Sequence, residues 1–471
     1  MKDKRNFVVP IVFDLLDYHI ESPALSWVFA MYTNYCVNNN MVIIAQEDYF
    51  KQDVPVLSSN YLYPTEDNKK RERIRKEKEK FSKYSISNDE TLSITDGKKA
   101  TFKEQVSFMS SENKIYKDII NKKIDLIEKD YKEKVNVILT WYWNPSLAKV
   151  AKERDITLIS QEISPIREVN TNYRTTLSYF QFYNKYDKDY CKNLYSEFIE
   201  SQKTENVRIF SRKELLAILL NSEDVNLIKE LDKPEKYELG ISPPIVDDFY
   251  FEVYKNTTTK KTFQSIDNIF EPNKVSMRYR VPSMTKIGNP LWDFDDSSKA
   301  IYWILNCKRI LTYVSNIAFD AMLFGKTVYL LSDHMPFSHK AINTLQYKDE
   351  SVVDTEYLNF IIFGYFTPWD LMLDQEYIDW RLTKPHILEI YKKHQDYIFK
   401  RLGLKDIKKI TLKEILQTTH KLSTEEIKDC LEYSEYSYVE TLRNRIVEKD
   451  SIIEALNLKI DKQNIEIEEF R

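Results

Sequence analysis

Glycine and cysteine are both scarce in this chain. Six glycines occur in 471 residues, so a glycine at a helix end is expected to meet a backbone need, because glycine enters the left-handed region without strain. The four cysteines, Cys36, Cys191, Cys307 and Cys430, lie far apart. Their spacing matches neither a zinc site nor a disulfide framework. The sequence therefore predicts reduced thiols.

Long apolar runs and a strong net charge are also missing. No run approaches the ~20 apolar residues that cross a bilayer, and Asp14 and Asp17 interrupt the apolar stretch where a signal peptide would have its core. With 69 Lys and Arg against 73 Asp and Glu, the formal charge is −4, which argues against a general nucleic-acid binder. A soluble cytoplasmic protein is expected, with peripheral association at the inner face of the cytoplasmic membrane left open.

What the chain does contain is an alternation of strand and helix patterns in two regions. Its length exceeds one ordinary core, so two domains and an appendage are expected. Strands are predicted at residues 7–13, 42–45, 135–141, 156–160, 274–279, 309–314 and 327–331, and helices at 22–36 and 144–153. The pattern indicates an α/β fold with two Rossmann-like lobes that face a cleft.

The predicted division places one lobe in residues 1–235 and the other in residues 236–400. A charged helical insertion is expected near 64–130, where residues 66–83 favour a solvated helix over a basic arm for anionic lipid or glycan. Residues 401–438 are predicted to form a helical connector. Apolar residues at 3-4 spacing in 439–471 predict a coiled-coil helix and a homo-oligomer, the alternative being one amphipathic helix that packs on the body.

Residues 312–328 have the pattern of a strand, a short helix and a second strand. Ser315 or Asn316 would begin the helix and leave backbone N–H groups for a phosphate. Asp320, one turn later, would reach a ribose hydroxyl, and Gly325 would end the helix in the left-handed region. An ordinary strand-helix-strand unit of an α/β domain explains the same pattern.

Three further polar clusters follow predicted strands or turns. A carboxylate and a guanidinium after a strand suit acid-base chemistry and anion binding, and paired arginines on one face suit a phosphate or a sugar carboxylate. Structural ion pairs, turn caps or a solvated strand face are the alternatives. The clusters are Glu162 with Arg167, Asp247 with Asp248, and Arg278 with Arg280.

Taken in order over residues 135–340, the four clusters resemble motifs of the bacterial capsule-polysaccharide and O-antigen β-Kdo transferases. The family sequence Glu-Asp-Gly-Phe-Ile-Arg is similar to Glu162-Ile-Ser-Pro-Ile-Arg167 here, and Gln-Val-Glu-Asp-Asp is similar to Pro244-Ile-Val-Asp247-Asp248. The family's Thr-Ser-Leu-x-Gly-Phe-Glu-Ala-Leu-x-x-Gly-Lys-Pro-Val resembles residues 314–328.

One motif departs from the family. Where the family has Lys-x-His-Pro, this chain has Arg278-Tyr-Arg280-Val-Pro282. The histidine is missing, which leaves open whether Arg280 takes its role.

The resemblance implies a retaining, GT-B-like glycosyltransferase that moves Kdo from CMP-Kdo to a saccharide or lipid-linked acceptor of a surface glycan. The first lobe would serve the acceptor and the second the nucleotide sugar. Asp247 or Asp248 would form a covalent sugar adduct and Glu162 would be the acid-base group. The implied donor-binding residues are Ser315, Asn316, Asp320, Lys326, Arg278, Arg280 and Arg167. No cofactor or metal is expected, because a CMP donor carries one phosphate.

Two other functions remain open from the sequence. The same cleft could take another CMP-sugar or a UDP-sugar. A different class of protein is also consistent with the sequence, because the motifs around Glu162 and Arg280 are degenerate. In that case the α/β body would be an inactive binding module of a coiled-coil assembly protein.

Overall fold

The described residues form two β-sheets, one of six strands and one of five, in this computed structural model. Described are residues 6–13, 15, 42–47, 83–141, 143–168, 171–182, 187–205, 207–244, 257–279, 288–297, 299–332, 335–372 and 374–431. Each sheet has a parallel core with helices packed against it. The predicted α/β fold with two Rossmann-like lobes is confirmed.

The first sheet joins five strands from the first half of the chain to one distant strand. They are β1 (Val8–Val12), β2 (Ile44–Ala45), β3 (Val137–Thr140), β4 (Thr157–Ile163), β5 (Leu177–Gln181) and β11 (Phe366–Pro368). The spatial order is β11-β5-β4-β3-β1-β2. The strands β1 to β4 run parallel, whereas β5 and β11 are each antiparallel to their neighbour. The buried apolar runs of β1 and β3 are typical of strands covered on both faces.

Helices of the first lobe cover one face of this sheet. They are α1 (Asn88–Ile94), α2 (Phe102–Ser110), α3 (Lys114–Tyr131) and α4 (Pro145–Glu153). Residues of α2, α3 and α4 share a buried apolar cluster with β1. The side chain of Asn144 accepts a hydrogen bond from the Leu147 backbone N–H at 2.9 Å, and Pro145 follows it, so α4 begins where the sequence predicts.

The second sheet is parallel throughout and has Rossmann topology. Its strands are β6 (Leu239–Ile241), β7 (Val275–Met277), β8 (Asp293–Phe294), β9 (Arg309–Thr312) and β10 (Thr327–Leu330). The order β8-β7-β6-β9-β10 corresponds to the first five strands of the Rossmann order 3-2-1-4-5-6. One face packs against α7 (Thr259–Ile269). The other packs against α8 (Ala300–Leu305) and α9 (Ile317–Leu323).

The remaining helices connect the lobes and extend beyond the second sheet. They are α5 (Lys188–Gln202), α6 (Arg212–Leu219), α10 (Thr355–Asn359), α11 (Trp369–Met372), α12 (Gln375–Leu382), α13 (Ile387–Arg401), α14 (Leu412–His420) and α15 (Thr424–Leu431). A buried π-helix, Phe360–Tyr365, precedes β11, and 3-10 helices occur at Val225–Asp232, Pro272–Lys274 and Ser338–Lys340. None of the helices in the described part of the chain is both long and apolar enough to span a bilayer.

The predicted lobe boundary near residue 400 differs from the sheet topology. The strand β11 pairs with β5 of the first sheet, and the carbonyl of Thr367 accepts a hydrogen bond from the Ser178 hydroxyl at 2.9 Å. The chain therefore returns to the first lobe by residue 366. One buried cluster contains Tyr179 of the first lobe and Phe319 of the second, so the lobes share part of their core.

Several predictions lie outside the described residues. They are the helix at 22–36, residues 66–82 of the charged run, Asp247, Asp248, Arg280 and the coiled coil at 439–471. These stay predictions.

Candidate functional site

Glu162 lies one residue before the carboxyl end of β4 and points to the face that meets the second lobe. It is paired across the antiparallel ladder with Tyr179, and directly opposed side chains lie on one face of a sheet. The Tyr179 hydroxyl donates to Oδ1 of Asn316 at 3.5 Å. Glu162 is half-buried. The strand end of the first lobe thus faces the start of α9.

The first backbone N–H groups of α9 donate hydrogen bonds within the turn that precedes the helix. Ser315 Oγ accepts from the Ile317 N–H at 3.3 Å. The Ala318 and Phe319 N–H groups donate to the carbonyls of Ser315 and Asn316 at 3.1 and 3.0 Å. The N–H groups of residues 317–319 are therefore already hydrogen-bonded within the turn, which closes in 3-10 fashion. The phosphate contact expected at Ser315 or Asn316 stays a prediction.

Asp320 links the two lobes. Its Oδ1 accepts a hydrogen bond from the Tyr173 hydroxyl at 2.6 Å. Burial raises the pKa of Asp320 to about 7, against the opposing effects of the Tyr173 hydrogen bond and the positive charge of Arg167. Burial also raises the pKa of Tyr173, so the phenol remains the donor. The structure thus brings Arg167 and Asp320 together, with one carboxylate oxygen already bound by Tyr173.

The helix α9 is held at its other end by Arg212. The Arg212 guanidinium donates to the carbonyls of Met322 and Leu323, the latter at 3.0 Å, and to the Val353 carbonyl at 2.8 Å. A cation at a helix C-terminus is favourable because the last carbonyls carry partial negative charge. Gly325 follows with φ of +76°. The predicted left-handed helix end is confirmed.

Arg278 and Lys326 have different positions in the second lobe. Arg278 follows the carboxyl end of β7, where its Nη1 donates to Asp295 and to Ser297 Oγ. Lys326 precedes β10 and therefore lies at the opposite, amino edge of the sheet from Ser315. This residue is 3% exposed, and its ammonium donates to Glu235 at 2.9 Å and to the Leu305 carbonyl at 3.1 Å. The structure separates Lys326 from the other predicted site residues.

The two tyrosines are site residues that the sequence patterns did not predict. Tyr179 belongs to β5, which was not predicted, although residues 177–181 alternate apolar and polar side chains in part. Tyr173 lies in the loop between β4 and β5, and no local pattern marks it. Their contacts with Asn316 and Asp320 depend on how the lobes pack.

No metal site is visible in the part of the chain that the structure describes, since no three His, Cys, Asp or Glu side chains converge there. The expectation that a CMP donor needs no metal stays a prediction.

The glycosyltransferase 99 family N-terminal domain matches this chain over residues 19–188. This part of the chain is similar to a glycosyltransferase domain. The matched stretch contains Glu162, Arg167, Tyr173 and Tyr179, and thus the first-lobe half of the candidate site. It overlaps residues 135–340, which carry the resemblance to Kdo transferases, and supports the expectation of a glycosyltransferase. No curated protein matches this chain.

Three solved structures align with the chain at low similarity. A Thermosulfurimonas dismutans KpsC, a β-Kdo 2,7 transferase, is 12% identical over 56% of this chain and 90% of its own, with a TM-score of 0.35. A second KpsC from that organism, a β-Kdo 2,4 transferase, is 10% identical over 55% of this chain and 92% of its own, with a TM-score of 0.33. The wall teichoic acid polymerase TagF is 12% identical over 90% of both chains, with a TM-score of 0.20.

Asp320→Asn is expected to become stabilising relative to wild type as pH rises. Between the ordinary value of 3.8 and the folded-state pKa of about 7, the folded chain keeps a proton that the unfolded chain has released. The free energy of unfolding of the wild type therefore falls as pH rises through this window. From about pH 4 to pH 8, the free energy of unfolding of the variant should rise by roughly 2 kcal/mol relative to that of the wild type. This is half of what the full pKa shift would give, because the Asp320 side chain is partly exposed.

Urea unfolding at several pH values measures this difference. Asp232→Asn is the matched control, because Asp232 is an exposed carboxylate that pairs with Lys213 at 2.7 Å. A difference between Asp320→Asn and wild type that stays constant with pH would contradict the prediction.

Proposed function

We propose that this chain is a retaining glycosyltransferase that moves Kdo from CMP-Kdo to a saccharide or lipid-linked acceptor of a bacterial surface glycan. One observation carries the proposal. The carboxyl end of β4, with Glu162, and the turn before α9 meet between the lobes through the Tyr179–Asn316 and Tyr173–Asp320 hydrogen bonds. Ligands of α/β proteins bind at such strand ends, and the first-lobe half lies inside the stretch matched to a glycosyltransferase domain.

The donor would bind on the second lobe through side chains. The Ser315 hydroxyl and the Asn316 amide are the candidates for the phosphate of CMP, because the N–H groups of residues 317–319 are already hydrogen-bonded within the turn. Asp320 is the candidate for the ribose. Arg167 and Arg278, with Arg280, would pair with the phosphate or with the Kdo carboxylate, since guanidinium groups bind both anions in bidentate fashion.

Asp247 and Asp248 lie outside the described residues and follow Pro244 by three and four positions in the sequence. The described chain leaves β6 at Ser242, whose carbonyl accepts from the Thr312 hydroxyl at 3.2 Å, three residues before Ser315. The motif resemblance makes a carboxylate from this pair the candidate nucleophile.

The proposed reaction has two displacements. The aspartate carboxylate attacks the anomeric carbon of Kdo, and the bond to CMP breaks with both electrons going to the phosphate oxygen. Glu162 then accepts the proton of the acceptor hydroxyl as that oxygen attacks the same carbon, and the aspartate leaves. Two inversions leave the configuration unchanged.

Incubation with CMP-Kdo tests the proposal. We expect free CMP to accumulate in the presence of a Kdo-terminated acceptor, and the intact mass of the protein to increase by one Kdo residue when the acceptor is omitted. Failure to release CMP above the buffer rate would contradict the function. Thermal protection by UDP and not by CMP would instead favour a UDP-sugar donor.

One of the variants Asp247→Asn and Asp248→Asn should abolish transfer, because an amide cannot form the ester-linked adduct. The affinity for CMP, measured by calorimetry, should survive in both variants. The neighbouring aspartate serves as the matched control, since the two substitutions change charge equally. Wild-type turnover in both variants would show that the nucleophile lies elsewhere.

A further inference from the structure

A second cavity lies at the far edge of the first sheet from Glu162. It has a volume of about 1030 Å³ and is bounded by the start of β4 at Thr157, the end of β5 at Gln181 and Phe182, and by Arg381 and Lys384 near the end of α12. Gln181 pairs with Ser160, which precedes Glu162 by two residues or ~7 Å along β4, and Thr157 precedes it by ~17 Å. Neither Glu162 nor Tyr179 lines the cavity, so its wall differs from that of the interlobe site.

Arg381 is buried in the wall of this cavity among aromatic rings. The side chain is 4% exposed. Its guanidinium carbon lies 5.0 Å from the centroid of Phe180 and 5.6 Å from that of Phe182. These ring faces stabilise a cation partly, but they do not neutralise it.

Neutral groups make the hydrogen bonds of Arg381. Nη1 donates to the Tyr377 hydroxyl oxygen at 2.9 Å. The Tyr377 hydroxyl lies 2.6 Å from Nε2 of His394, and Nδ1 of that ring lies 2.9 Å from the Phe363 carbonyl. Burial lowers the pKa of His394 to about 3, so the ring is neutral: Nδ1–H donates to the carbonyl and Nε2 accepts from Tyr377. This chain of hydrogen bonds orients the guanidinium without supplying a negative charge.

The charge of Arg381 is uncompensated within the described residues. No carboxylate there forms an ion pair with it, and its buried Nε has no hydrogen-bond partner among them. A buried cation without a countercharge is unfavourable. The cavity also has three carboxylates at its rim. Asp187 accepts from the Tyr190 N–H at 3.0 Å, Glu197 lies 3.3 Å from His386, and Asp189 is exposed to solvent. An anion from outside would complete the site.

A second buried polar atom indicates a ligand larger than a free ion. Gln181 Nε2 donates to the Tyr365 carbonyl at 2.9 Å, while Oε1 is buried and has no partner among the described residues. Because side chains alternate along a strand, Gln181 and Phe180, whose ring contacts Arg381, lie on opposite faces of β5. A ligand that reaches both Arg381 and Gln181 therefore spans the strand end, and it carries a hydroxyl or another donor for Oε1.

We propose that this cavity binds a saccharide bearing a carboxylate or phosphate, with the oxyanion on Arg381 and a hydroxyl group on Gln181 Oε1. Lys384 and Lys152 add positive charge at the rim. The volume suits a ligand of one or a few sugar units. The choice of a saccharide rests on the proposed function, whereas the anion site rests on the cavity and on Arg381.

Calorimetry without any nucleotide sugar tests the site with glucose 1-phosphate, glucuronate, inorganic phosphate and glucose. We expect glucose 1-phosphate or glucuronate to bind, and inorganic phosphate and glucose to bind at least about tenfold more weakly. The first two probes distinguish a sugar phosphate from a sugar acid. Equal affinity for glucose would exclude an anion site, equal affinity for inorganic phosphate would exclude the saccharide, and absence of binding by all four would overturn the proposal.

Variants locate the binding to Arg381. Arg381→Lys should weaken binding by about tenfold, because lysine lacks the planar fork of donors. Arg208→Lys is the matched control, since Arg208 pairs with Glu214 at 2.6 Å in another part of the chain. Equal weakening in both would overturn the assignment. If Arg381→Lys does not fold, Lys384→Glu tests the rim, where unchanged affinity would contradict the proposal.

Failure of this proposal and failure of the transferase function have different outcomes. Binding of a sugar anion by a chain that releases no CMP would support the cavity and contradict the transferase. Turnover of CMP-Kdo by a chain that binds none of the probes would support the transferase and overturn the cavity. Glu162→Gln should leave probe binding unchanged, since Glu162 does not line the cavity.

Discussion

Glu162→Gln is expected to lower the rate of sugar transfer by about 10²–10⁴-fold, the usual contribution of a general acid or base. The glutamine keeps the shape of the side chain but cannot accept the proton of the acceptor hydroxyl. Because Glu162 lies on the first lobe and the residues proposed for the CMP phosphate and ribose at the start of α9 lie on the second, the affinity for CMP should remain that of the wild type.

The measurements are CMP release with a saturating Kdo-terminated acceptor and calorimetry with CMP. Glu168→Gln is the matched control: Glu168 is exposed, follows Glu162 by six residues, and pairs with Arg401 at 3.2 Å. Its substitution should leave turnover unchanged. Wild-type turnover in Glu162→Gln would remove Glu162 from the reaction, and an equal loss in Glu168→Gln would indicate an effect on the loop instead.

Gly240→Ala should be the most destabilising small substitution that we predict in the second lobe. A Cβ atom at Gly240 would lie 2.7 Å from Cys307 Sγ, 2.7 Å from Trp303 Cζ2 and 2.9 Å from Ile310 Cδ1. These atoms belong to the buried cluster between β6 and α8, where little can move. Overpacking at three contacts should lower the free energy of unfolding by about 3 kcal/mol, which is at the upper end of the usual cost of overpacking a core.

Chemical unfolding followed by circular dichroism measures this cost. Gly403→Ala is the matched control, because Gly403 has φ of +70° and a Cβ atom added there would meet no other atom within 4 Å. Gly403→Ala should lower the free energy of unfolding by only about 1–2 kcal/mol, the cost of a left-handed backbone at a residue other than glycine. Combining Gly240→Ala with Cys307→Ala should cost less than the sum of the single changes. A wild-type unfolding midpoint for Gly240→Ala would contradict the packing between β6 and α8.

The elements that the sequence predicted well have strong local signals. Residues 135–141 were predicted as a strand and Val137–Thr140 forms one, and α4 begins after Asn144 as expected. The end of α9 at Gly325 was also predictable, since few residues other than glycine enter the left-handed region without cost. In each case the signal that predicts the element, an apolar repeat, an N-cap residue or a glycine, lies within a few neighbouring residues.

The elements that the sequence missed depend on contacts between distant residues. The strand β11 is three residues long, ends in Pro368 and pairs with β5, whose residues lie almost two hundred positions earlier. No local period identifies such a strand. The site divides in the same way, because Glu162, Asp320 and Arg167 carry recognisable motifs, whereas Tyr173 and Tyr179 join the site through the packing of the lobes.

Sequence alone determined that this chain is an α/β protein of two Rossmann-like lobes, and it pointed to Glu162 and to the turn at Ser315. Tertiary structure decided which predicted residues meet. It separated Lys326 from the cleft and left Arg381 buried beside a second cavity. It also placed the backbone N–H groups of Ala318 and Phe319 in hydrogen bonds within the turn. The physical reason is that periodicity and capping act over a few residues, whereas burial, register and charge compensation depend on side chains brought together from distant parts of the chain.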